Sequence, residues 1–318
     1  MKLNQENFEY LYSQFNQKMQ NKEFEDALFL VPELLTVAQN NDLDVFYTLM
    51  GKASALTNLN EDKDVIETYD EIIEKFEDTK NEIIFRYLAY SYYNKALIYA
   101  KSNDYEKELE CYNRLLEKFI EDTSSQLEIV LVKAYLNKAV CINQLKERKD
   151  AIVVYEELLL NFKDSVNPEV LDNLAYASFN IALLYAKEEQ NDEAIKAYDF
   201  LIDNFNSYEE ESIKELVAKA YVNKAGRYRE QNYIGKAIEI YDKVIAKYEK
   251  EQGVLLKQVA LALYNKSIIL SQLNNEKELL EVCDIIIEKF SDSKDDMIMN
   301  IVSSAEVVKN KEKFNHSF

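Results

Sequence analysis

Six segments of the chain place apolar residues three and four apart in one shared register. They are "DVIETYDEIIEKF" (64–76), "KELECYNRLLEKF" (107–119), "DAIVVYEELLLNF" (150–162), "EAIKAYDFLIDNF" (193–205), "KAIEIYDKVIAKY" (236–248) and "ELLEVCDIIIEKF" (278–290). That spacing puts the apolar side chains on one stripe of a helix, with Glu, Lys and Asp on the other side. Before each lies a second apolar-periodic stretch carrying a short signature: "YNKAL" at Tyr93, "LNKAV" at Leu136, "FNIAL" at Phe179, "VNKAG" at Val222 and "YNKSI" at Tyr264. Its asparagines, Asn94, Asn137, Asn180, Asn223 and Asn265, follow one another at 43, 43, 43 and 42 residues, and "MGKAS" with Gly51 stands one period earlier. Each period therefore predicts two helices, here called A and B, joined by short polar turns such as "KSNDYE" (101–106).

Punctuation between periods supports this. "DSVNPEV" (164–170) offers Asn167 as a cap and Pro168 in the first turn of the next helix, and "SDSKDD" (291–296) does the same before a last amphipathic helix. Pro32, inside "LFLVPELL", is expected to kink or interrupt its helix. With only 4 glycines and 2 prolines, the 318-residue chain lacks the turn residues that sheets and hairpins need.

The unit resembles a tetratricopeptide repeat. In the clearest copy Ala182 and Tyr185 stand in helix A, Ala194 and Tyr198 in helix B; Ala139, Ile142, Ala151 and Tyr155 repeat the set, as do Ala225, Tyr228, Ala237 and Tyr241. Ala96, Tyr99 and Tyr112 repeat it with Glu108 in place of the helix B alanine. Two features depart from the family: the period is about 43 rather than about 34 residues, and the proline that usually ends the unit is missing. The resemblance implies a long-repeat, bacterial-type variant. Its expected fold is all-α, a right-handed α-solenoid of tandem antiparallel helix pairs. Residues 1–318 then read as one solenoid: a degenerate first pair over 3–39, six repeats over 42–290, a capping helix over 295–312 and a tail over 313–318. In the first pair Ala27 takes the helix B small position and Phe15 the helix A one.

Composition narrows the chemistry. There are 58 acidic and 38 basic residues, a formal net charge of −20, which repels phosphate backbones and anionic lipid. Nucleic acid and membranes are thus not expected as partners. No segment reads as a membrane span or signal peptide, so a cytoplasmic location is expected. The one histidine, His316, sits in the polar tail, and Gly51, Gly226, Gly235 and Gly253 are too scattered for a phosphate-binding loop. Cys111, Cys141 and Cys283 lack metal-site spacing and read as buried thiols. No catalytic constellation, cofactor site or metal site is expected.

Function then rests on surface. The family resemblance implies that helix A lines a concave groove. Counted from the small residue of each helix A, the groove set is Tyr90, Tyr93 and Leu97; Lys133, Leu136 and Val140; Tyr176, Phe179 and Leu183; Lys219, Val222 and Arg229; Leu261, Tyr264 and Ile268. Aromatic anchors with a few cations suit an extended or helical peptide with acidic positions. The alternative is that these side chains pack against neighbouring helices. In family members that clamp a peptide carboxylate, an asparagine holds the register of Asn137, Asn180 and Asn223; here the matching arginine is missing. The lysines beside them, Lys52, Lys95, Lys138, Lys224 and Lys266, point towards helix B of their own repeat, where Asp70, Glu156, Asp242 and Asp284 are expected to pair with Lys52, Lys138, Lys224 and Lys266; Asn113 replaces the acid opposite Lys95, and Ile181 the lysine opposite Asp199. Three readings follow: a non-enzymatic scaffold gripping a peptide or protein in the groove, a regulatory peptide sensor without its own DNA-binding domain, or a structural subunit that self-associates.

Overall fold

The computed structural model describes residues 2–122 and 125–315, with side chains over 5–122 and 126–311. His316 and the end of the tail lie outside the described residues. The described chain is helical throughout, and it divides into two compact units, residues 1–162 and 163–318.

The first unit holds α1 (Lys2–Gln20), α2 (Phe24–Ala38), α3 (Asp42–Leu59), α4 (Asp62–Phe76), α5 (Glu82–Lys101), α6 (Tyr105–Phe119), α7 (Ser125–Gln144) and α8 (Arg148–Phe162). The second holds α9 (Pro168–Lys187), α10 (Asn191–Phe205), α11 (Glu211–Glu230), α12 (Ile234–Tyr248), α13 (Gly253–Gln272), α14 (Glu276–Phe290) and α15 (Asp296–Asn315). Within each unit every helix packs on its chain neighbours, and each helix A also packs on the next helix A, as α5 does on α7 and α11 on α13. The result in each is an α-solenoid of antiparallel pairs. From α5 on, helix A spans 20 residues and helix B 15, so the residues beyond a standard repeat lengthen helix A.

Local chemistry fixes the joints. Seven A-to-B turns place a non-glycine residue in the left-handed region two residues before helix B: Lys22, Asn60, Asn103, Lys146, Glu189, Asn232 and Asn274, with φ between 54° and 67°. There the backbone closes the end of helix A; in the turn after α3, Asn60 N–H donates to the Thr57 carbonyl (3.1 Å) and Glu61 N–H to the Leu56 carbonyl (3.1 Å). Asn81 accepts from the Ile83 and Ile84 amides, Asn167 from Glu169, and Asp295 from Met297 and Ile298, each capping the helix that follows.

Packing follows the small residues. Ala96, Ala139, Ala182 and Ala225 of helix A, and Ala151, Ala194 and Ala237 of helix B, are fully buried where the paired helices cross. In the first pair the bulky residue is accommodated differently. The Phe15 ring occupies the space beside Gly51, where a Cβ would lie 2.7 Å from Phe15 Cε1. Two expectations need correction. Helix α2 is not interrupted at Pro32, because Ala27 and Val31 before it and Leu34 and Ala38 after it are buried in the core and only one intrahelical bond is lost. Helix α13 is long and apolar enough to cross a membrane, contrary to the reading that no segment is; its Leu255, Val259, Leu263 and Leu270 are instead buried in the core of the second unit.

Candidate functional site: the helix A face and the seam between repeats

The lysines beside the asparagines do form a repeating ion pair, but its partner is not the expected one. Lys95 pairs with Asp70, Lys224 with Asp199, Lys266 with Asp242 (2.8 Å) and Lys309 with Asp284. In each case helix A reaches back to helix B of the preceding repeat, so the pair stitches repeats together instead of closing one. Helices α5, α11 and α13 each lie between two B helices and α15 packs on α14, and in each the lysine reaches the earlier B helix. Lys266 alone of these reaches both ways, also touching Glu278 of its own helix B at 2.8 Å. Lys52 has Ala27 where the preceding acid would be, and it turns to Glu71 of its own pair at 3.8 Å.

These ammonium groups are largely covered, with 15%, 16% and 11% of the Lys95, Lys224 and Lys266 side chains exposed. Burial alone would depress the Lys95 and Lys266 pKa values; the carboxylates outweigh it and leave both raised. Lys138 supplies the contrast. The register of its acid holds Asn113, Lys138 has no ion pair among the described residues, and burial depresses its pKa against a weaker pull from Glu157.

Three of the asparagines meet a tyrosine of the preceding repeat. Asn94 bears on Tyr69 and Asn223 on Tyr198, where the amide opposes the burial that raises the phenol pKa, in Tyr198 to about 12. Asn137 donates to the Tyr93 hydroxyl at 3.2 Å; the Tyr112 hydroxyl beside it is buried without a hydrogen bond. All five asparagines are half-buried. Their first role is therefore at the seam between repeats.

The predicted groove residues divide by exposure. In the first unit Leu97 and Val140 are exposed, Tyr90, Tyr93 and Lys133 are half-buried, and Leu136 is buried. Tyr93 packs on Tyr112 with ring centroids 6.2 Å apart. In the second unit Tyr176 is exposed, Leu183, Lys219, Arg229, Leu261, Tyr264 and Ile268 are half-buried, and Phe179 and Val222 are buried. Phe179 packs on Tyr198 at 6.1 Å. Lys219 pairs with Glu215 one turn earlier at 2.6 Å, which neutralises one groove cation.

Two residues of this face were not singled out in the sequence. Tyr47 and Tyr87 continue the aromatic row, with centroids 6.3 Å apart, and Tyr87 stands 6.0 Å from Tyr90. The signal for Tyr47 was available, since it lies 43 residues before Tyr90. Tyr87, 46% exposed, has Asp44 one period earlier, so periodicity could not point to it.

The three cysteines are buried, and burial pushes the thiol of Cys111 up to about 11 and that of Cys141 to about 12. That is the direction opposite to an activated nucleophile. No group of three or more His, Cys, Asp or Glu side chains is placed to hold a metal ion among the described residues. A cleft of about 210 Å³ opens on the other side of the first unit, lined by Asp70, Lys95, Lys107, Glu110 and Arg114 with Tyr99. Its charges are already paired: Lys95 with Asp70 across the seam, Arg114 with Glu110 within α6, and Lys107 with Asp104 at the start of α6.

Residues 89–117 match the tetratricopeptide repeat. No curated protein matches the chain. Among solved structures, the C-terminal part of a TPR repeat-containing protein from Cytophaga hutchinsonii aligns with a TM-score of 0.60 at 12% identity, covering 93% of this chain and 99% of that one. The apo form of RapI aligns at 0.58 and 13% identity, covering 98% and 86%. BtubC from P. vanneervenii aligns at 0.50 and 17% identity, covering 76% and 93%. At these identities the likeness is one of fold.

Proposed function

The chain is a tetratricopeptide-repeat protein, and from that premise we propose that it is a non-enzymatic interaction scaffold that grips a peptide or partner protein along its helix A faces. Repeats of this kind serve protein–protein interaction, and the buried, unactivated cysteines fit a role without catalysis. The observation that carries the reading is the row of aromatic and aliphatic side chains left uncovered on helix A. Tyr87, Leu97 and Val140 in the first unit and Tyr176 in the second are each between 39% and 47% exposed. Apolar side chains that recur on one face of successive repeats are better explained by a partner than by chance exposure. The half-buried tyrosines beside them can add hydrogen bonds to a peptide backbone. A cytoplasmic setting remains part of this proposal.

The asparagines contribute to this reading indirectly. Engaged with helix B tyrosines, they hold the pitch between A helices, and pitch sets the spacing of the anchors. The assembly-subunit reading has less support. In α15 the registers that face the next repeat elsewhere hold Ser303 and Glu306, both exposed, where α13 has the buried Ala260 and Leu263. Those polar groups interrupt the apolar face on which a further copy would stack.

The test is affinity capture from the source cells with three baits: the native chain, a quadruple variant (Tyr87→Ala, Leu97→Ala, Val140→Ala, Tyr176→Ala), and a control altered on helix B (Glu67→Ala, Lys196→Ala). The scaffold reading expects a protein retained by the native chain and the control and lost from the quadruple variant. Equal retention by all three contradicts it.

A further inference from the structure

Helix B carries a tyrosine at one register in five repeats: Tyr69, Tyr112, Tyr155, Tyr198 and Tyr241. In α14 that register holds Cys283. In two of these repeats the tyrosine ring is buried between an aromatic of its own helix A and the asparagine of the next repeat: Tyr93–Tyr112–Asn137 and Phe179–Tyr198–Asn223. The asparagine register that follows Cys283 holds Val308, so the phenol and its polar neighbour are replaced together by a small and an apolar residue.

The space follows from the arithmetic of side chains. Tyr264 of α13, Cys283 of α14 and Val308 of α15, the three residues in these registers, line a cavity of about 280 Å³. Ile268, Ile286 and Ile301 complete its apolar wall, and no charged residue lines it. Of its polar residues, Ser267 donates to the Tyr264 carbonyl at 2.7 Å and Ser304 to the Asn300 carbonyl at 2.8 Å, while Ser271 and Gln272 are exposed. An apolar cavity of roughly 150 Å³ already admits benzene, so this one has room for a substituted ring.

We propose that this cavity is a binding site for one neutral aromatic ring of benzene or phenol size, which takes the place that a tyrosine fills in the other repeats. A ring entering there recovers the contacts that the missing phenol makes elsewhere, with Tyr264 available for an edge or offset ring contact. A charged ligand would find no counter-ion in the wall and would bind at a desolvation cost. The cavity shares Tyr264 and Ile268 with the predicted groove set and opens to solvent beside the exposed Ser271, Gln272 and Ser304, but it is defined by the missing phenol and does not require the peptide reading.

The test titrates the full chain, with isotope-labelled methyl groups, against toluene and p-cresol. Saturable shifts at the methyls of Ile268, Ile286, Ile301 and Val308 are expected. Cys283→Tyr, which restores the ring, should weaken binding at least about tenfold, since the volume is then filled. Absence of shifts up to the aqueous solubility of toluene overturns the proposal, as does unchanged affinity in the folded Cys283→Tyr variant. Should that variant not fold, the wild-type titration decides by whether the shifts map to those four methyls. Competition with N-acetyl-phenylalaninamide separates the sources of the ring: displacement of toluene means a side chain on a peptide fits, and no displacement means a free small aromatic does.

Discussion

Glu108 is the residue at which this chain most clearly breaks its own repeat. It occupies the crossing point that holds Ala151, Ala194 and Ala237 elsewhere, and only 5% of it is exposed. Burial raises its pKa, opposed by contacts with Cys141 and Tyr112. A carboxyl whose folded pKa lies above its unfolded value binds its proton more tightly when folded. Its ionised form therefore destabilises the fold near neutrality, and the penalty fades as pH falls through the folded pKa. Glu108→Ala should stabilise the protein at neutral pH by about 1 kcal/mol. That advantage should shrink toward pH 4.5, the ordinary glutamate value; thermal melts of both proteins across this range check it. The seam lysines offer a second residue-scale test. A double-mutant cycle of Lys224→Ala with Asp199→Ala should give a coupling of about 0.5–1 kcal/mol, while Lys224→Ala with Asp242→Ala gives close to zero. The reverse would restore a pair within one repeat. This distinction was not visible in the sequence, where Lys224 stands 18 residues before Asp242 and 25 after Asp199, and both acids follow a tyrosine. A single repeat has no neighbour on the page; only packing shows which B helix the lysine stem crosses.

At the scale of elements, the turn between helices A and B is where backbone conformation and residue type disagree. Lys146 and Glu189 hold φ values of 67° and 58°, while Asn60, Asn103, Asn232 and Asn274 fill the same register with a residue that tolerates it. Lys146→Gly and Glu189→Gly should each raise stability by about 0.5–1 kcal/mol, whereas Asn103→Gly should change it by only a few tenths. Urea melts that rank the three differently would contradict the role assigned to this position. Helix pairing was legible because apolar period and small-residue spacing agree: Ala182 and Ala194, twelve apart, fix both helices and the turn length between them. The continuity of α2 through Pro32 was not legible, because local propensity says nothing of the four buried residues that anchor the helix on either side of it. Helix α13 shows the same limit: its apolar run is long because it is buried on two sides.

For the whole molecule, charge and surface dominate. A net charge of −20 on 318 residues sets acidic helix faces against one another, and the seam pairs relieve only part of this. Raising NaCl from about 0.02 to about 0.3 M should therefore raise the melting temperature, since screening weakens diffuse repulsion more than short, partly buried pairs; a fall would mean that the seam pairs outweigh the repulsion. The candidate site was legible in part. Period-counting found Leu97, Val140 and Tyr176, which are exposed, but also Phe179 and Val222, which are buried, because their register, shared with Tyr93 and Leu136, packs inward against helix B. The central claim is that helix A, not helix B, meets the partner. Hydrogen exchange of the chain with and without its captured partner tests this most directly. The scaffold account predicts added protection in α3, α5 and α7 or in α9, α11 and α13, with α4, α6, α10 and α12 unchanged. Protection confined to those B helices would contradict it.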